Sequence, residues 1–158
     1  MHFLQIWALP WKHGLKPQYH TMTFDEDAKR KEFVHILSPL AAGPEAKPAD
    51  EDAAIPKIPG TIPIHADFVM GAGIIAPSST FTWNVGAGEV VSSKKKRNVY
   101  IHLPMTKQGK MKIKLNGSED AVLEEGDGAF ITQINAGDPL RVESIGEVEA
   151  EVIVLDSN

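Results

Sequence analysis

Residues 99–131 read VYIHLPMTKQGKMKIKLNGSEDAVLEEGDGAFI, and the order of strands and turns here decides the fold. Val99, Ile101 and Leu103 alternate with Tyr100 and His102, which predicts a half-buried strand with the first three inward. Met111, Ile113 and Leu115 alternate with three lysines, predicting a second strand whose lysines face water and protect a sheet edge from pairing with another molecule. Asn116-Gly117 suits a type I′ turn, because both central residues of such a turn need positive φ. LEEGDGAFITQI then returns the chain to strand.

The same texture extends to both sides. Upstream, IHADFVM reads as a strand ending in a bend at Gly71 and Gly73, and TFTWNVGAG puts Phe81, Trp83 and Val85 on one face. Downstream, LRVES and VEAEVIVLD complete the series. Short strands punctuated by Gly and Pro predict an all-β barrel or sandwich.

The first 63 residues are less regular. FLQIW is a strand-like run closed by Pro10, with Leu4 and Ile6 on one face and Phe3 and Trp7 on the other. Apolar residues on both faces predict a strand covered on both sides. QYHTMTF alternates in the same way, Asp25 is placed to cap a helical turn through DEDAKRKE, and FVHIL is a further apolar run. Residues 38–63 hold six of the eleven prolines. Proline at that density argues against a helix or a central strand. The segment is therefore expected to be a surface excursion, mobile around its acidic middle from Glu45 to Asp52, with a lid as the alternative role.

The whole chain has 158 residues, a net charge of −5, 42% apolar residues and no cysteine. That length fits one domain with a substantial core. The charge disfavours nucleic acid and anionic membrane as partners, and the absent thiol excludes disulfides and thiolate chemistry. SSKKKR, the one basic cluster, is expected to be a solvated loop. Without a basic n-region or a long apolar run at the start, the expected location is cytoplasmic or nuclear.

Residues 99–131 resemble the second half of a cupin barrel, with its hairpin, Asn-Gly turn and leucine-x-x-Gly-Asp corner. FLQIWALPWKHGLKPQYHTMTFDE is more specific. It resembles the junction between the two cupin domains of pirin and the bacterial pirin-like quercetinases, and IHADFVM and AEVIVLD resemble the strands that follow. The resemblance implies a single cupin-type jelly roll similar to the C-terminal domain of those proteins. Its parts are the N-terminal strands and linker (1–37), a Pro/Ala-rich loop (38–63) and the main barrel strands (64–158). It also implies that the chain opens where the second half of a two-domain relative opens, without the half whose histidines hold iron.

A metal-binding cupin needs an H-x-H pair, a Glu and a third His. Aligned on the family pattern, the H-x-H slot falls around Ser92 to Lys95, the Glu slot at Val99 and the last slot at Gly128 to Ala129. None is a good ligand, so neither a metal nor any other cofactor is expected. His65 and Asp67 form a polar pair on one predicted strand face, and Phe81, Trp83, Val99, Ile101 and Ile131 are the residues expected to line a barrel cavity. The function expected is a metal-free structural, protein-interaction or regulatory module. Its expected partners are a second copy, through residues 2 to 9, or another protein. The alternatives are small-molecule binding or metal-independent catalysis in the cavity, or half of an iron-dependent quercetin 2,3-dioxygenase-type protein.

Overall fold

A computed structural model describes residues 3–86, 95–106 and 109–158. Two sheets face each other. The larger runs β2-β1-β3-β10-β5-β8 and the smaller β4-β9-β6-β7. In chain order the strands are β1 (Val34–Pro39), β2 (Ile62–Ile64), β3 (Phe68–Ile75), β4 (Thr80–Asn84), β5 (Lys96–His102), β6 (Lys112–Leu115), β7 (Val122–Glu124), β8 (Gly128–Asn135), β9 (Pro139–Ser144) and β10 (Ala150–Ser157). All pairings are antiparallel except β1 with β2. The alternating residues read as inward are so: Phe81, Trp83, Val99, Ile101, Leu103, Met111, Ile113 and Leu115 are all buried in one core.

The turns follow the local sequence. Asn116 and Gly117 have φ of 48° and 69°, and the Ser118 N–H donates to Leu115 O at 3.0 Å, as a type I′ turn requires. Gly126 and Asp127 form the corner between β7 and β8, where Gly126 N–H donates to Leu103 O and Leu103 N–H to Asp127 O. Asp25 caps the short helix α1 (Glu26–Lys29) by accepting from the Asp27 N–H.

Gly71 and Gly73 do not bend the chain: both lie inside β3. They make room for aromatic rings. A Cβ at Gly71 would stand 2.8 Å from Trp83 Cη2, and one at Gly73 2.9 Å from Phe33 Cδ1. Phe33 packs edge-on to both Phe81 and Trp83, so the absent side chains of β3 let three rings share one layer of core. The lysine-bearing strand β6 is not an edge either, since it lies between β9 and β7. Its lysines do face outward, where Lys112 pairs with Glu124 across the ladder and Lys114 with Glu119.

The proline-rich segment is built rather than loose. It contains a helix, α2 (Pro48–Ala53), with Pro48 in the first turn, where proline's missing N–H costs nothing. Its two ends are tied together. Ser38 and Thr61, both buried, share a hydroxyl–hydroxyl bond of 2.6 Å, and Lys57 N–H donates to Pro39 O. Leu40 and Ala46 are buried. By contrast, neither FLQIW nor QYHTMTF forms a strand. Alternation alone supplies no neighbour for the backbone, and the first of these runs lies against the sheet through its side chains instead.

One ionic cluster joins the two sheets. Asp156 of β10, fully buried, accepts from Arg97 Nε at 2.5 Å, Trp83 Nε1 at 2.9 Å and Gly86 N–H at 2.7 Å. Arg97, 1% exposed, donates onward to Asp67 Oδ1 at 3.0 Å, and Lys95 donates to Asp67 Oδ2 at 2.8 Å. Burial pushes the Asp67 carboxyl upward, but hydrogen bonds and charge from Lys95 and Arg97 outweigh it and hold it below the usual carboxylate range. Nearby, His35 lies 5.0 Å from Trp83 with its Nε2 buried and unpartnered. Burial lowers its pKa, against the weaker pull of Glu32 and Asp156.

Removing one partner of a buried pair strands the other charge. Asp156→Ala should therefore lower the unfolding free energy by ~3–5 kcal/mol, read by urea denaturation. Lys110→Ala, which breaks only an exposed pair with Glu147, should leave the midpoint unchanged within error.

The His35 shift has a direction in pH. Its folded pKa lies below the unfolded value of about 6.5, so the unfolded chain binds the proton first. The stability tied to neutral His35 is complete above that value and is lost as pH falls through the folded pKa. Asp67 acts lower down: its contribution is complete above an unfolded pKa of about 3.9 and disappears as pH falls through its depressed folded value. Urea midpoints should decline from pH 7 to pH 5 in the wild type and decline less in His35→Gln.

Candidate functional site

The residues expected to line a cavity are buried together. Phe81, Trp83, Val99 and Ile101 belong to the central cluster, and Ile131 is partly buried against it. The expected His65–Asp67 pair is not formed, because residues 65–67 lie in the bend between β2 and β3. Asp67 turns to Arg97 and Lys95. His65 lies edge-on to Trp11 at 6.2 Å, and its carbonyl accepts the Trp11 N–H at 2.8 Å.

The metal slots do not fit a metal. Val99 is buried among apolar side chains. A Cβ at Gly128 would stand 2.6 Å from Tyr100 Cζ, so that position is closed to a ligating side chain. Ser92 to Lys94 lie outside the described residues, and Lys95 holds Asp67. Among the described residues, no three His, Cys, Asp or Glu side chains are grouped as a metal would need. The basic cluster is partly structural: Lys95 and Arg97 carry the ionic cluster, and Lys96 donates to Asn135.

A different site lies on the other side of the large sheet. A groove of about 770 Å³ is floored by Ile36, Leu37, Met70 and Ile153 and walled by Phe3, Leu4 and Ile6 of the N-terminal segment. Pro104, Met105, Gly126, His102 and Glu151 complete it. A β-bulge at β1 explains two adjacent floor residues. The register shifts between His35 and Leu37, leaving Ile36 extra, so Ile36 and Leu37 both reach the groove.

The polar content of the groove is small. His102 Nδ1 lies 3.0 Å from Asp127 O. A carbonyl can only accept, so Nδ1 carries a proton. His102 stacks on Tyr100, which touches Phe130 at 4.5 Å between ring centroids. Gly128 opens the space that Tyr100 fills. Phe130 (78%) and Met105 (64%) are exposed.

Sequence reasoning missed this surface, although a signal was present. FVMGAGII and VIVL are apolar at successive positions, so both faces of β3 and β10 are apolar. Such a strand expects cover on both sides.

No family model matches the chain, and no curated protein does. Solved structures do. The Escherichia coli protein YhhW superposes with a TM-score of 0.63 at 17% identity over 94% of this chain and 47% of that one. The same protein, described as a bacterial pirin in complex with nickel(II), gives 0.61 at 16% identity with the same coverage. A cupin protein from Bacteroides fragilis aligns over 90% of this chain and 86% of its own, with a TM-score of 0.44 and 13% identity. The chain thus spans about half the length of the bacterial pirin it resembles. Identity this low speaks to architecture alone, and on architecture it agrees with the strand order and core: the chain is a cupin-type jelly roll, built like one half of a bacterial pirin.

Proposed function

We propose that the chain is a metal-independent interaction module that binds through the outer face of its six-stranded sheet. One observation carries this reading. The groove over β1, β3, β10 and β5 is apolar in floor and walls, large enough for a bulky side chain or small ligand, and only partly filled by the chain's own Leu4 and Ile6. Leaving such side chains half-exposed forgoes burial worth ~1 kcal/mol or more each, which a bound partner recovers.

The barrel interior supports the cavity reading less well, because Trp83, Phe33 and Phe81 pack ring against ring in its core. The dioxygenase reading needs ligands that Val99 and Gly128 do not supply. The nickel in the bacterial pirin is a fact about that protein, and a metal chemistry of this chain would need donors other than these.

Two measurements test the proposal. Elemental analysis after growth with added iron or nickel, followed by chelator, should find no stoichiometric metal, and flavonol consumption should stay at background. The dye 8-anilinonaphthalene-1-sulfonate should brighten on the native protein diluted to nanomolar concentration, where the groove is open, and Ile153→Lys, checked for an unchanged circular-dichroism spectrum, should abolish most of the gain. One retained equivalent of metal, or equal dye binding by the folded variant, would overturn the reading.

A further inference from the structure

The N-terminal arm, residues 3–10, has two apolar faces and uses only one. Leu4 and Ile6, 47% and 36% exposed, turn toward the groove, whereas Phe3, Trp7 and Leu9 are 82%, 86% and 93% exposed. The arm belongs to no strand. Beyond the arm the chain is tied to the body by hydrogen bonds and charge, where Trp11 N–H donates to His65 O, Lys12 pairs with Glu51 and Gln18 donates to Glu51 O. Backbone polar groups that lack a protein partner accept a second strand readily.

We infer that this surface is where a second copy of the chain docks, the arms of the two copies meeting about a two-fold axis. The inference rests on the reading of the outer face as a binding surface and names its occupant. Three observations favour a second copy.

The first is area. The exposed side chains of Phe3, Trp7 and Leu9 on the arm, with Met105 and Phe130 beside it, present on the order of 700 Å² of apolar surface. Such an area compares with the ~800 Å² that each partner buries in a stable complex. Phe3, Trp7 and Leu9 share the arm. Phe3, Met105 and His102 border the same groove, and the Tyr100 ring links His102 to Phe130.

The second is charge. The arm FLQIWALP carries no ionisable side chain. Although each chain bears a net charge of −5 and Glu151 borders the groove, two arms can therefore meet without opposing like charges of their own.

The third is self-complementarity. An isologous contact needs one patch able to serve as both halves. Here the patch holds an apolar arm that belongs to no strand, with aromatic side chains to cover its partner. Two arms running antiparallel satisfy each other, and Trp7 and Phe3 of each pack on the other's exposed rings.

Multi-angle light scattering at micromolar concentration tests this. The wild type should show twice the 17.2 kDa chain mass. A variant with both Phe3→Asp and Trp7→Asp should dissociate, its dimer dissociation constant rising at least ~30-fold as for interface hot spots. Because both residues are exposed in the single chain, its melting temperature measured at monomeric concentration should not change. Phe130→Asp should weaken the dimer independently of the arm. A wild type that is monomeric at every concentration, or a dimer that survives both variants, would overturn the inference. A wild type that is monomeric at every concentration and still binds the dye through Ile153 would overturn the dimer while leaving the groove reading intact, and a dimer whose diluted, dissociated chains bind no dye through Ile153 would do the reverse.

Discussion

Asp156 is the point on which the two sheets depend. It sits in β10, at the centre of the large sheet, yet its carboxylate takes the indole N–H of Trp83 from the small sheet and the backbone N–H of Gly86 just beyond it. Arg97 neutralises it from the neighbouring strand β5. A carboxylate without these partners would cost several kcal/mol in such a place. Together they make the position of β4 over β10 a matter of defined geometry rather than of greasy contact. Trp83 can reach Asp156 only because Gly71 leaves its ring a seat on β3, and Phe33 and Phe81 then pack around that ring.

The large sheet is therefore asked to do two things. Its inner face carries the ionic cluster and the aromatic layer. Its outer face is apolar as well, with Met70, Ile153, Ile36 and Leu37 brought together by strand order and by one bulge. The small sheet has no such second face: Lys112 and Lys114 of β6 point to water and pair with glutamates. The asymmetry between the sheets separates a solvent face from a contact face, and the N-terminal arm lies on the contact face.

Several parts of this were legible along the chain. Alternation in β4, β5 and β6 was sufficient to sort inward from outward residues, because a strand's side chains alternate by geometry whatever its neighbours do. The Asn116-Gly117 turn was legible because few other residue pairs accept two positive φ values. Asp25 was legible as a cap for a similarly local reason. Glycine was misread inside β3, since a bend and a close approach of a distant ring require the same missing Cβ. The helix in the proline-rich segment was missed because Pro48 opens it where it could have been a breaker, and the Ser38–Thr61 clasp was not legible because it spans 23 residues.

Local pattern by itself determined the all-β class, the burial sense of most strands and the turns, because these depend on backbone sterics and period within a few residues. Given the alignment that the cupin resemblance supplies, side-chain type also marks Val99 and Gly128 as poor ligands. Only the tertiary structure decided that Asp67 faces Arg97 and Lys95 instead of His65, and that β6 is an interior strand. It alone assembled the groove, whose twelve lining residues come from the arm, four strands and two loops. Such a site is set by strand order and register, and those are fixed by which distant segments pack together rather than by any stretch of sequence read alone.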